Sequence, residues 1–368
     1  KIIMRKLLVT ALTFCFISAD EFFEPKTSIG GYGEMHYDME ANDGDGKLDF
    51  HRFIIYYKHQ FSPEWSMMSE VEIEHNMVGS ENSLGYEGGY LAMEQAHLNY
   101  WNGSFGFRGG VILIPAGIIN EYHEPPTFMS VERPLYNKHI IPTTWFDNGF
   151  SFYGTKGDFN YNVTLSGDLN GDKISGEKAL RSARLKGFES KASSWTKTIQ
   201  GSYTGIDGLK VGGSITMNDA PRSDLATVGD DGIADTADDG SVAQDPVGIT
   251  LTEFNGTYYK NNIYARMEYG TIAYTDCLNC NTDGGELKAS NGYYLDLGYN
   301  FKDLAGCDGD LFGWLRTSNY TKSDLEGESV DITLYGVTYK PLENVSFKFE
   351  LGDEGGSDVM RFGLGYMF

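Results

Sequence analysis

FNYNVTLS, residues 159–166, puts Phe159, Tyr161, Val163 and Leu165 on one side of an extended chain and Asn160, Asn162, Thr164 and Ser166 on the other. Successive side chains point to opposite faces only in a strand; at 3.6 residues per turn a helix would mix the two sets. One face is apolar and half aromatic, the other polar and uncharged, which suits a strand with lipid on one side and water on the other. Residues 209–218 repeat the pattern, with Leu209, Val211, Ile215 and Met217 opposite Lys210, Ser214, Thr216 and Asn218. Residues 345–351 do so again, setting Val345, Phe347, Phe349 and Leu351 against Ser346, Lys348 and Glu350.

Extended in both directions, this rhythm gives strands near 27–39, 47–61, 65–75, 89–101, 104–114, 143–155, 159–168, 193–204, 209–218, 247–259, 263–274, 290–301, 311–321, 330–339, 345–351 and 358–368. The expected fold is therefore all-β, a transmembrane antiparallel β-barrel of sixteen strands. Short connections with turn chemistry, such as Ser62-Pro63-Glu64, Asn102-Gly103 and Lys156-Gly157-Asp158, alternate with long ones at 76–88, 115–142, 169–192, 219–246 and 275–289. That asymmetry is expected of a barrel with short periplasmic turns and longer external loops. The chain ends on Met360, Phe362, Leu364, Tyr366 and Phe368, every second residue apolar. A last strand closing on Phe368 looks like the signal that outer-membrane barrels present to their assembly machinery.

Past the first twenty residues no stretch is apolar enough to cross a bilayer as a helix, which takes about 20 residues, so only a β solution reaches the membrane. The start, KIIMRKLLVTALTFCFISAD, has basic Arg5 and Lys6, an apolar run from Leu7 to Ile17, and small Ser18 and Ala19. It reads as a secretory signal spanning residues 1–19, with the barrel as a single domain over 20–368. Cys15 follows bulky Phe14, which does not fit a lipoprotein acceptor, so it belongs to the removed segment. Losing Lys1, Arg5 and Lys6 takes the 29 basic residues to 26, against 52 acidic ones. Such a balance excludes nucleic acid as a partner.

One stretch breaks the rhythm: PAGIINEYHEPPTFMSVERPLYNKHIIP, residues 115–142. Pro115, Pro125, Pro126, Pro134 and Pro142 each lack an N–H, which excludes a long helix or ladder strand. The stretch also carries Glu121, His123, Glu124, Glu132, Arg133, Lys138 and His139. A long, charged, proline-stiffened connection is uncommon unless functional, and it is expected to fold into the lumen as the third external loop. Residues 65–75 place Glu70, Glu72 and Glu74 on one strand face. Carboxylates facing lipid are costly, so these three should line the lumen, either as an acidic stripe in the permeation path or as a solvated face neutralised by Arg108, Arg266, Arg316 or Arg361.

SEVEIEH at 69–75, MEQAHLNY at 93–100, IPAGIINEYHEPPTFMSVERP at 114–134, IIPTTWFDNG at 140–149 and RSARLKGF at 181–188 resemble the phosphate-selective porin O and P family and its generic porin relatives. The resemblance implies a sixteen-stranded barrel, a homotrimer, in the outer membrane of a Gram-negative bacterium, with the third loop folded inward as a constriction. It implies a porin for small hydrophilic solutes or ions, among them anions such as phosphate, in contact with outer-membrane lipids. Phosphate selectivity needs a surplus of lumenal Arg and Lys; the third loop mixes Glu121, Glu124 and Glu132 with Arg133 and Lys138. A structural or adhesive barrel with a blocked lumen is the alternative.

Asp230, Asp231, Asp235, Asp238 and Asp239, with Gly232 and Gly240, resemble calcium-loop spacing. They lack the terminal bidentate Glu of an EF-hand, so a calcium site and a plain acidic loop both remain open; no other cofactor is indicated. Cys277, Cys280 and Cys307 remain after processing. The first two fall in an external loop and Cys307 in a periplasmic turn, separated by an apolar band about 25 Å tall, so the expected disulfide joins Cys277 to Cys280. No Gly-x-Ser-x-Gly elbow occurs, and His123 and His139 sit among prolines with no placed nucleophile, so an enzyme is not expected.

Overall fold

The structure, a computed structural model, describes residues 23–40, 46–76, 89, 91–227, 240–278, 280, 285–324 and 329–368. The expected signal segment at 1–19 and the calcium candidates Asp230, Asp231, Asp235, Asp238 and Asp239 lie outside the described residues.

Among the described residues the strands are β1 (Lys26–Glu40), β2 (Gly46–Gln60), β3 (Trp65–Glu74), β4 (Leu91–Trp101), β5 (Phe105–Leu113), β6 (Phe146–Lys156), β7 (Phe159–Ser166), β8 (Thr196–Ile206) and β9 (Leu209–Ala220). They continue as β10 (Leu225–Thr227), β11 (Gly240–Val242), β12 (Val247–Lys260), β13 (Ile263–Thr275), β14 (Ala289–Asn300), β15 (Asp310–Thr321), β16 (Ser329–Leu342), β17 (Val345–Glu354) and β18 (Asp358–Met367). Sixteen of these form one closed antiparallel barrel in which each strand pairs with its neighbours in sequence and β9 pairs directly with β12. β1 and β18 close the circle, from Tyr32 opposite Met367 to Glu40 opposite Val359. Closure leaves no strand edge unpaired, which a β structure in lipid requires.

The two faces of the wall follow the alternation. On β7, Phe159, Tyr161, Val163 and Leu165 are 63%, 45%, 42% and 37% exposed, whereas Thr164 and Ser166 are buried. On β17, Phe347 is exposed, and Ser346, Lys348 and Glu350 are buried. Apolar side chains point out and polar ones in, the inverse of a water-soluble domain.

Several strand bounds shift, with β16 and β17 each extending three residues past the expected end, and one ribbon is added. The strand predicted from 143 begins only at Phe146, because Pro142 supplies no donor and the Trp145 N–H is taken by the Asn120 side chain at 2.6 Å. The strand predicted from 193 begins at Thr196, because the Ser193 and Ser194 N–H groups bind the Asp168 carboxylate. β10 and β11 form a small separate ribbon inside the acidic loop; strands of three residues are too short to show a period.

Candidate permeation site

Between β5 and β6, residues 115–142 form two single helical turns, Ile118–Glu121 and Tyr136–His139, joined by a proline-containing run with one 3-10 turn at Pro125–Thr127. Prolines offer carbonyls without donors, so a buried proline run needs donors from elsewhere. The buried face of the wall supplies them. Lys348 Nζ donates to the carbonyls of Pro125 and Ser130, both at 2.7 Å, Lys340 to Pro126 at 3.0 Å, and Arg266 to Thr127 at 2.9 Å. The Val131 N–H donates in the reverse direction to Glu350 at 2.7 Å. Approach this close requires glycine on β18: a Cβ at Gly365 would stand 2.4 Å from Pro125 Cβ, and one at Gly363 would stand 3.0 Å from Val131.

The neck of the segment is closed by buried Asn120, whose amide donates to the carbonyls of Ile114 and Trp145 while its oxygen accepts from Trp145. Glu268 on β13 accepts from the Ile119 N–H, the Asn137 amide and the Tyr294 hydroxyl, so one carboxylate ties both helical turns to the wall. Phe128, Tyr136, Ile140, Ile141 and Trp145 pack into an apolar cluster with residues such as Leu251, Ile272 and Leu334 of the wall. Residues 169–192 brace the far end: Arg184 donates to the carbonyls of Pro142 and Thr144, and Arg181 to that of Thr143.

A cavity of ≈ 610 Å³ lies against residues 132–138. Arg52, Arg133, Lys138, Arg181, Lys186 and Arg361 line it, against Asp38, Glu74, Glu132 and Glu354, together with His51 and His75. In a chain with formal net charge −23, this lining is locally cationic. Glu132 accepts from His36 at 2.6 Å; burial alone would raise its carboxyl, but the facing imidazole holds it below the usual carboxylate range. Glu121 and Glu124 lie elsewhere on the segment. Glu121 accepts from Gln200 at 2.5 Å, and burial pushes its carboxyl up; Glu124 accepts from the Tyr56 hydroxyl at 3.3 Å. The segment's three glutamates thus do not form one charged ring.

Glu70 and Glu72 have no exposed surface, and Glu74 borders the cavity. The neutralising partners expected from sequence are corrected. Glu72 accepts from Arg52 at 3.2 Å and Glu70 faces His123 at 3.7 Å. Arg108 instead donates to Asn99 and lies 4.6 Å over the Tyr153 ring, Arg266 reaches the Thr127 carbonyl, Arg316 pairs with Asp296, and Arg361 pairs with Asp38, Glu350 and Glu354. Strand alternation fixes a side chain's face and says nothing of the angle around the barrel at which a partner stands. Burial opposes the charged form of His123, but the Glu70 and Glu94 carboxylates outweigh it and raise its pKa to about 10.

Glu94 was not singled out from the sequence. On β4 the residues opposite Glu70 and Val71 are Gln95 and Met93, so Glu94 is the extra residue of a β-bulge. The bulge turns Glu94 and His97 inward, three residues apart, where strict alternation would separate their faces. The wall residues Arg52, Glu268, Lys348 and Glu350 were likewise invisible as partners of the segment. Cys277 and Cys280 are disulfide-bonded, and Cys307 is free in the turn after the helical turn Lys302–Ala305.

No family model matches the chain. Among solved structures it is similar to Salmonella typhi OmpF in complex with daunomycin (TM-score 0.61, 14% identity, covering 93% of this chain and 98% of that one). It is similar to the trimer form of OmpT, an outer membrane protein of Vibrio cholerae (TM-score 0.59, 12% identity, 94% and 100% covered). It is also similar to the anion-selective porin from Comamonas acidovorans (TM-score 0.58, 11% identity, 94% and 100% covered). These likenesses establish the porin fold. In sequence the chain is 30% identical over 359 residues to an uncharacterized protein of Aquifex aeolicus (strain VF5), covering 93% of this chain and 80% of that protein. The chain belongs to the same family as that Aquifex aeolicus protein.

Proposed function

We propose that the protein is a porin of a Gram-negative outer membrane, passing small hydrophilic solutes or ions by passive diffusion without catalysis. The observation that carries this reading is the inverted barrel, apolar outward and charged inward, and it is supported by the hydrogen bonds that Lys348, Lys340, Arg266 and Glu350 make to residues 115–142. On this reading residues 1–19 are a removed signal, 20–368 form one barrel domain, and the chains assemble as homotrimers. The cavity rich in Arg and Lys supports a preference for anions, phosphate among them, as the resemblance to the phosphate-selective porins implies.

Reversal potential under a salt gradient tests the selectivity. Glu132 borders the cavity and Glu121 and Glu124 do not line it, so Glu132→Gln is expected to carry most of the shift toward anions produced by replacing all three. Arg133→Gln with Lys138→Gln should move the potential the opposite way. Unchanged potentials in both variants would remove the segment from the selectivity path. A second reading, a structural barrel with a blocked lumen, is favoured by the apolar packing of the segment against the wall. Correctly assembled protein that shows no conductance in a planar bilayer would decide for it.

Assembly can be separated from conduction. The Phe368 backbone exchanges two hydrogen bonds with Gly31, while its ring is 58% exposed and stacks on Phe53 at 6.2 Å. Phe368→Ala keeps both backbone bonds, so the inserted barrel should retain its conductance and heat stability while the amount inserted in cells falls severalfold. Normal membrane levels would overturn the role of Phe368 as an assembly signal.

A further inference from the structure

Where the segment meets β3 and β4, one imidazole and two carboxylates converge, and several of their facing polar atoms lack hydrogen bonds. His123 is 2% exposed, and Glu70 and Glu94 are 0% exposed. Nδ1 of His123 lies 3.1 Å from the Asn120 carbonyl oxygen. A carbonyl only accepts, so Nδ1 carries the proton and Nε2 is the atom aimed at the carboxylates. Nε2 stands 3.7 Å from Glu70 Oε1 and 3.5 Å from Glu94 Oε2, beyond the range of N–H···O hydrogen bonds. Nε2, Glu70 Oε1 and both Glu94 oxygens have no hydrogen-bond partner. A protonated Nε2 would offset one of the two carboxylate charges while still too far away for a hydrogen bond, and buried polar atoms without hydrogen bonds are costly.

The spacing fits an ion. With metal–nitrogen and metal–oxygen bonds of about 2.0–2.2 Å at tetrahedral angles, neighbouring ligand atoms stand about 3.4 Å apart. The candidate ligand atoms of these three residues all lie within 4.8 Å of one another. The outer contacts also match: a metal-bound imidazole characteristically donates its other N–H to a carbonyl, as Nδ1 does here, and ligating carboxylates are themselves hydrogen-bonded, as Glu70 Oε2 is by Gln95 at 2.6 Å. Charge points the same way. Arg52 is already bound by Glu34 and Glu72, and a protonated His123 offsets one of the two carboxylate charges, whereas a dication that displaces the Nε2 proton would balance both Glu70 and Glu94.

We propose that Glu70 of β3, Glu94 of the β4 bulge and His123 of the inner segment form a binding site for a divalent transition-metal ion of the zinc class, which clamps residues 115–142 to the wall. Two further groups of ligand types share His51, one with His36 and Glu132 and one with Asp49 and His75, and of these residues His51, His75 and Glu132 line the cavity. Their members satisfy one another: Glu132 accepts from His36, and Asp49 from both His51 and His75. They serve as the control.

The test uses the detergent-purified, folded full chain, stripped with a chelator and titrated with Co²⁺, read by visible d–d absorption and by metal content. The expected result is one Co²⁺ per chain, displaced by Zn²⁺, with affinity reduced at least tenfold by His123→Gln and by Glu94→Gln and unaltered by His51→Ala. A folded wild-type chain that retains no stoichiometric Co²⁺ would overturn the proposal, whatever the variants do. So would binding abolished by His51→Ala and preserved in Glu94→Gln. Neither readout depends on whether the barrel conducts.

Discussion

Replacing residues 121–138 with a short Gly/Ser linker is expected to raise single-channel conductance severalfold. The ladder hydrogen bonds of the barrel run strand to strand and none passes through this segment, so the wall should survive the deletion. Asn120 is kept in the variant because its amide closes the neck between Ile114 and Trp145. Lys348, Lys340, Arg266 and Glu350 would then lose their partners on the segment and be hydrated by the water that takes its place, while Glu268 would lose Asn137 and keep Ile119 and Tyr294. Charges that now fix a peptide would become fixed charges of a wider aqueous path, where each is more strongly screened. Selectivity should therefore weaken as conductance grows. Unchanged conductance in assembled protein would place the narrowest point of the path elsewhere.

The second large effect concerns the stability of the wall. Arg316 on β15 donates two parallel hydrogen bonds to Asp296 on β14, Nε at 2.6 Å and Nη2 at 2.7 Å, and both residues are 1% exposed. Its guanidinium also lies 5.4 Å from the Tyr294 ring centroid and 5.9 Å from that of Trp314. Arg316→Met removes one member of a desolvated pair and leaves the Asp296 carboxylate buried alone, a change that costs about 3–5 kcal/mol. Removing both charges with Arg316→Met and Asp296→Leu should recover most of that loss, since no charge is then stranded. Urea unfolding, followed by the shift in electrophoretic mobility between folded and unfolded barrel, measures both. A single-variant loss below about 1 kcal/mol, the range of a solvated surface pair, would show that water reaches the site.

Strand number, strand order and the facing of most side chains were legible in the sequence because they rest on a period of two, a local property of the chain. FNYNVTLS shows its outward Phe159 and inward Thr164 without knowledge of any partner. The proline-rich segment was legible as an exception for an equally local reason, since five missing N–H donors forbid a ladder wherever that stretch lies. Local patterns fail where the chain departs from them by one residue. The bulge that turns Glu94 inward is a single insertion against β3, and no periodicity marks it before the pairing register is known.

Partners were decided only by the tertiary structure. Closing a sheet into a barrel sets residues far apart in sequence at one height and one angle, so Lys348 meets Pro125 and Ser130, and His123 meets Glu70 and Glu94. Composition identifies the charges available for a lumen. Which carboxylate neutralises which cation depends on curvature, register and the path of the connecting segments, quantities that no short stretch of sequence encodes.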